Sequence, residues 1–124
     1  MTKEKFKNID FINGKKVFIS IPITGREELA RKQCKEITDI LKSDFPDCEL
    51  FNPFDVAPEK NMPDSYYMGK DIAQLMECDI VIQMPGWEKS KGCRVENCVA
   101  DNYGIYKIPY LLIENVYKER KKQF

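Results

Sequence analysis

Apolar residues fall along this chain in short blocks of two periods, and the alternation of those blocks sets the expected fold. Val17-Phe18-Ile19-Ser20-Ile21 is a nearly continuous apolar run, the pattern of a strand buried on both faces. Pro22 stops it and Thr24-Gly25 turns the chain. From residue 26 to 43, Leu29, Ile37, Ile40 and Leu41 stand among charged residues at helical spacing. Pro46 and Asp47 end that unit. Cys48-Glu49-Leu50-Phe51 reads as a short second strand, closed by Asn52-Pro53. Residues 52–63 contain Pro53, Pro58 and Pro63 and no periodicity, so a loop of about a dozen residues is expected there, at the upper end of ordinary connections. Pro63-Asp64-Ser65 has the form of a helix start; the helix carries Tyr67, Ile72, Leu75 and Met76 and runs to about Cys78. Residues 79–84 form the third strand and 85–92 a loop. A helix spans residues 93–103 with Gly104 as its C-terminal stop, and 109–113 is read as the fourth strand.

Strands that alternate with helices imply βαβ crossovers and a parallel sheet covered on both faces. The expected class is α/β, a Rossmann-like or flavodoxin-like three-layer sandwich with a mainly parallel sheet of four or five strands. The chain divides into a polar N-terminal segment (1–15), one domain (16–113) and a charged tail (114–124), with no internal repeat. In such a sheet, ligands bind beyond the carboxyl ends of the strands. The connections at that end are 20–26, 52–63 and 85–92, where the chemistry-bearing residues collect.

Composition narrows the function. With 124 residues and 43% apolar content, one domain with a real core is expected. Twenty basic and 20 acidic side chains balance, which argues against a general nucleic-acid binder, though not against a local phosphate pocket. No apolar run is long enough for a membrane span, and Met1-Thr2-Lys3-Glu4-Lys5 is not followed by the apolar stretch of a secretory signal. Cys34, Cys48, Cys78, Cys93 and Cys98 are odd in number, irregular in spacing and without a C-x-x-C pair, which reads as reduced, mostly buried thiols in a cytoplasmic protein. The chain has no histidine and its cysteines are not paired, so no catalytic metal is expected; with no G-x-G-x-x-G and no P-loop, no cofactor is expected either.

Two turns hold the candidate chemistry. In Ser20-Ile21-Pro22-Ile23-Thr24-Gly25-Arg26, hydroxyls, backbone N–H groups and a helix N-terminus could hold an anion, with Arg26 adding a bidentate contact; the plainer reading is an ordinary turn with a solvated arginine. Between Pro85 and Glu96, Gly86 and Gly92 permit close backbone approach, Trp87 offers a stacking face or simple packing, and Ser90 precedes a helix. Glu96 lies early in that helix, where a glutamate is most often merely solvated. Asp71 could face the same crevice, while Asp79, just before an apolar strand, suits a capping or turn role. Two carboxyls can divide the work on a glycosidic bond.

Three stretches together are similar to the nucleoside 2-deoxyribosyltransferase-like superfamily, in a small branch related to deoxynucleoside 5′-monophosphate N-glycosidases. They are Phe18-Ile19-Ser20-Ile21-Pro22-Ile23-Thr24-Gly25; Asp71 with Cys78-Asp79-Ile80-Val81; and Pro85-Gly86-Trp87 followed by Ser90-x-Gly92-x-x-x-Glu96 and Ala100. The resemblance spans about residues 16–113. It implies that Glu96 is the nucleophile that attacks the anomeric carbon of a deoxyribose, and that Asp71 helps bind or protonate the departing base. Ser90 stands where the transferases carry an acid and the monophosphate hydrolases a serine, which favours a phosphorylated substrate. The chain departs from the pattern at Phe18, which replaces a tyrosine that orients the nucleophile and donates no hydrogen bond, and at Ile21 and Pro22, which replace small and polar residues of the phosphate loop. A homodimer or larger assembly is also implied.

Three functions compete. The first is an enzyme that cleaves or transfers the N-glycosidic bond of a 2′-deoxynucleoside or its 5′-monophosphate. Glu96 and Asp71 are catalytic in it, and Ser20, Thr24, Gly25, Arg26, Gly86, Trp87, Ser90 and Gly92 bind substrate. The second is a module that binds a nucleotide without cleaving it, consistent with the missing tyrosine. The third is a protein-interaction domain with Trp87, Tyr66 and Tyr67 as its contact patch. Lys118 to Lys122 read as a solvated helix end.

Overall fold

The computed structural model describes residues 9–123. The expected signal-free start therefore lies outside the described residues, as does most of the polar segment 1–15. Within the described chain, a turn of 3-10 helix (Asp10–Ile12) leads into β1 (Lys16–Ser20), α1 (Glu27–Asp44), β2 (Glu49–Phe51), α2 (Pro53–Val56) and α3 (Asp64–Leu75). Then come β3 (Ile80–Gln83), a 3-10 turn (Trp87–Lys89), α4 (Lys91–Tyr103), β4 (Tyr106–Pro109) and α5 (Tyr110–Gln123). The four strands form one all-parallel sheet in the order β2-β1-β3-β4.

Strand alternation sorts the core into two layers. Val17, Ile19, Ile80, Ile82 and Ile108 face one side, where Ala30, Cys34, Ile37 and Leu41 of α1 and Ile113 and Val116 of α5 pack on them. Phe18 and Val81 face the other, against Leu75 of α3 and Ala100 of α4. The fold is thus the expected three-layer α/β sandwich. Ile9 and Ile12, at the end of the polar segment, are also buried in the first layer.

Local chemistry explains the elements. The buried stripe of α1 repeats at spacings of four and three, and its exposed face is laced by Glu27–Arg31 and Lys35–Asp39 ion pairs, each 3.0 Å. Asp79 accepts a hydrogen bond from the Lys16 backbone N–H (3.0 Å), joining the starts of β1 and β3, in keeping with its expected turn role. Gly104 ends α4 in the left-handed region at φ 69°.

Two expected elements differ. The loop 52–63 begins with a helical turn, α2. Asn52 caps it by accepting from the Asp55 N–H (3.0 Å), and Pro53 supplies a pre-set first position. The fourth strand is Tyr106–Pro109 rather than 109–113, and the charged tail is the helix α5, which starts at the next residue. An edge strand needs only one core side chain, here Ile108, with Tyr106 58% exposed, so β4 carries no apolar run to betray it. The run Leu111-Leu112-Ile113 is helical: Ile113 and Val116 are buried three apart, while Leu111 and Leu112 face outward. No helix among the described residues is long and apolar enough to cross a membrane.

Candidate active site

From β1 the chain leaves to pack α1 on one face of the sheet, and from β3 it leaves to pack α4 on the other. The neighbouring strands β1 and β3 therefore end at a topological switch point, where a crevice opens in this class of fold. Ser20 and Gln83 are the last residues of these strands and stand side by side in register. Ser20 lies two residues beyond Phe18, so its side chain faces α3 and α4.

The buried stripe of α4 is Cys93, Glu96 and Ala100, which turns Glu96 toward the sheet rather than toward solvent. The Ser20 hydroxyl donates to Glu96 Oε1 at 2.5 Å, and the two residues are 2% and 3% exposed. Asp71 comes from the facing side of α3; it is 6% exposed, and its Oδ1 has no hydrogen-bond partner among the described residues. Burial raises Asp71 from 3.8 to about 6. Burial likewise raises Glu96 from 4.5 to about 8, with the Ser20 hydrogen bond pulling down and the like charge of Asp71 adding to the rise. Two buried carboxyls that repel each other hold on to protons that an exposed pair would release.

Cys93, one helical turn before Glu96, belongs to the same cluster. Burial raises the pKa of its thiol, and the neighbouring Ser20 and Ser90 hydroxyls pull it back down. Ser90 caps α4 by accepting from the Cys93 N–H (3.3 Å). The sequence reading treats Cys93 as one more buried apolar residue; the available signal is its spacing of three from Glu96 in a helix, which places both on one face. Gln83 extends the polar row, donating to Asn97 Oδ1 at 2.7 Å.

The other candidates are placed as follows. Gly86 has φ 86° and reverses the chain after β3, close enough that a Cβ there would lie 3.8 Å from Pro22 Cγ, so the two βα turns touch. Gly92 faces Met68 of α3, whose sulfur would be 3.2 Å from an added Cβ. Trp87 and Ser90 are half-buried, while Thr24 and Gly25 are exposed. Arg26 is not free to reach an anion as it stands: its guanidinium donates to the Pro22 carbonyl (2.6 Å) and to Gln33 (2.9 Å), locking its own turn. Tyr66 and Tyr67 are half-buried too, and bind the 57–63 segment to α3 through Glu59, the first to its carboxylate (2.6 Å) and the second to its backbone carbonyl (2.7 Å).

A cavity of about 510 Å³ lies elsewhere, lined by Leu50, Phe51, Asp55, Val56, Lys70, Ala73 and Gln74 at the β2 edge. It contains neither Glu96 nor Asp71. The buried carboxyls at the switch point are the stronger candidate, because they combine perturbed acids with a positioned donor.

Two solved structures share this fold. The 2-deoxyribosyltransferase of Bacillus psychrosaccharolyticus aligns with a TM-score of 0.59 at 15% identity, over 76% of this chain and 70% of that one. The CMP N-glycosidase BcmB of Clostridium botulinum aligns with a TM-score of 0.56 at 23% identity, over 77% of this chain and 70% of that one. By sequence the chain belongs to the family described as a domain of unknown function, DUF4406, whose model matches residues 15–109. No curated protein matches it significantly.

Proposed function

We propose that this protein cleaves or transfers the N-glycosidic bond of a 2′-deoxynucleoside or its 5′-monophosphate. The observation that carries the reading is the buried Ser20–Glu96–Asp71 cluster at the switch point of the sheet. The two proteins named above supply its chemical context, since both names denote work on bonds between a sugar and a base.

In this mechanism ionised Glu96 attacks the anomeric carbon with Oε2 as its pair of electrons forms the new C–O bond. The C–N bond breaks, its electrons leave with the base, and protonated Asp71 gives the base a proton. Water or a second base then gives a proton to Asp71 and attacks the anomeric carbon, the C–O bond to Glu96 breaks with its electrons returning to the carboxylate, and the enzyme is restored. Such chemistry needs Glu96 charged and Asp71 neutral. In the free protein the pair ionises in the other order, Asp71 at about 6 and Glu96 at about 8, so the mechanism has the Glu96 proton pass to Asp71 as the substrate binds. The half-buried Trp87 and Ser90 and the exposed turn at Thr24 and Gly25 are the proposed substrate contacts.

The test is incubation of the pure protein with each deoxynucleoside and deoxynucleoside 5′-monophosphate, with free base measured by chromatography. The wild type releases base from at least one of them, and Glu96→Gln releases at least about a thousandfold less. Base release that survives Glu96→Gln removes the reading. One observation favours a second function, a sensor that binds without cleaving: Phe18 is fully buried and offers Glu96 no hydroxyl. Thermal stabilisation by a nucleotide that stays intact selects that alternative.

A further inference from the structure

We infer that Ser20 is the positioning residue for Glu96, its hydroxyl holding Oε1 so that Oε2 is the oxygen left to react. The inference takes its chemistry from the glycosidic reading, but its geometry stands apart from it.

Ser20 is fixed by the sheet rather than by a loop. It pairs in register with Gln83, and its carbonyl accepts from the Met84 N–H at 3.0 Å. Its hydroxyl therefore presents from a rigid strand end, and the 2.5 Å contact is as short as hydrogen bonds to charged oxygens become. The hydroxyl has a single proton, which goes to Glu96. With its proton committed and 2% exposure, Ser20 has no donor to offer a substrate, so its role runs through Glu96 rather than through direct binding.

The titratable groups that face Glu96 are Asp71 from α3 and Cys93 from α4; β1 contributes Ser20 and no charge. Asp71 and burial both favour the neutral form of Glu96, and Ser20 opposes them. Asp71 Oδ1 has no comparable partner. The hydroxyl thus biases the pair toward a charge on Glu96.

The experiment is a carboxyl-carbon NMR titration of the full chain in the wild type, Ser20→Ala and Ser20→Thr. Loss of the hydroxyl makes Glu96 about tenfold weaker as an acid, and Ser20→Thr restores it to within about twofold. Ser20→Cys, close in shape and a weak donor, gives the same comparison if the alanine variant does not fold. Identical titration of Glu96 with and without the hydroxyl overturns the proposal. The pH–rate profile adds a readout that a merely structural role would leave in place: the rising limb of kcat moves to higher pH in Ser20→Ala and returns in Ser20→Thr. If the wild type releases no base, the titration still decides Ser20 while the glycosidic reading falls. If base is released and neither titration nor limb moves, the reading survives and the positioning role falls.

Discussion

Glu96 and Asp71 carry a stability cost that can be measured without a substrate. Both carboxyls bind protons more tightly folded than unfolded, Asp71 at about 6 against 3.8 and Glu96 at about 8 against 4.5. Between those limits these two groups hold more protons in the folded chain than in the unfolded chain, so their contribution to stability is most favourable at acid pH and falls as pH rises toward 8. Glu96→Gln removes the larger share of this loss. By calorimetry, its Tm matches the wild type near pH 5 and exceeds it at pH 8 by on the order of 5 °C; parallel Tm–pH curves for the two proteins would contradict the buried-acid account. The residue types at the site were legible in the sequence, because a glutamate early in a helix, an aspartate one helix before and a serine at a strand end fall in known order. Their contacts were not. Nothing in sequence spacing shows that the Ser20 proton points at Glu96, 76 residues away, or that Arg26 turns back on the Pro22 carbonyl.

Among the elements, those with a strong period were legible and those defined by capping or by one core contact were not. β1 is buried over four of its five residues and α1 carries an unbroken stripe, so both follow from the pattern. α2 is one turn long and exists through Asn52, which accepts from the Asp55 N–H and donates to the Asp55 carboxylate at 2.9 Å. Asn52→Ala removes both bonds and costs about 1 kcal/mol in urea unfolding; a cost near zero would mean that packing of Pro53 alone forms the turn. β4 escaped because Ile108 is its single buried side chain, and the apolar run after it belongs to α5. α5 also holds more than solvated charge. Its Arg120 pairs with Asp10, lies 3.9 Å from Asp44 and sits 5.6 Å from the Phe45 ring centre, tying both ends of the described chain to α1.

At the scale of the molecule, strand order does what no single motif could. The order β2-β1-β3-β4 makes β1 and β3 neighbours whose following helices lie on opposite faces, and the crevice between them receives α3 and α4 residues from one side. This places Ser20, Asp71, Cys93 and Glu96, drawn from three elements, in one buried cluster. The alternation of strands and helices made the layered class legible. Which face Glu96 occupies follows only from the packing of α4, whose stripe of Cys93, Glu96 and Ala100 buries a carboxyl where an apolar residue would be expected. In the proposed reaction this buried glutamate forms a bond to the sugar. The most direct measurement is peptide mass mapping after acid quench of the wild type incubated with the deoxynucleosides and their 5′-monophosphates. A deoxyribosyl or deoxyribosyl-phosphate adduct is expected on Glu96 and absent from Glu96→Gln; an adduct on Asp71, or base release with Glu96 unmodified at every quench time, would rule the covalent step out.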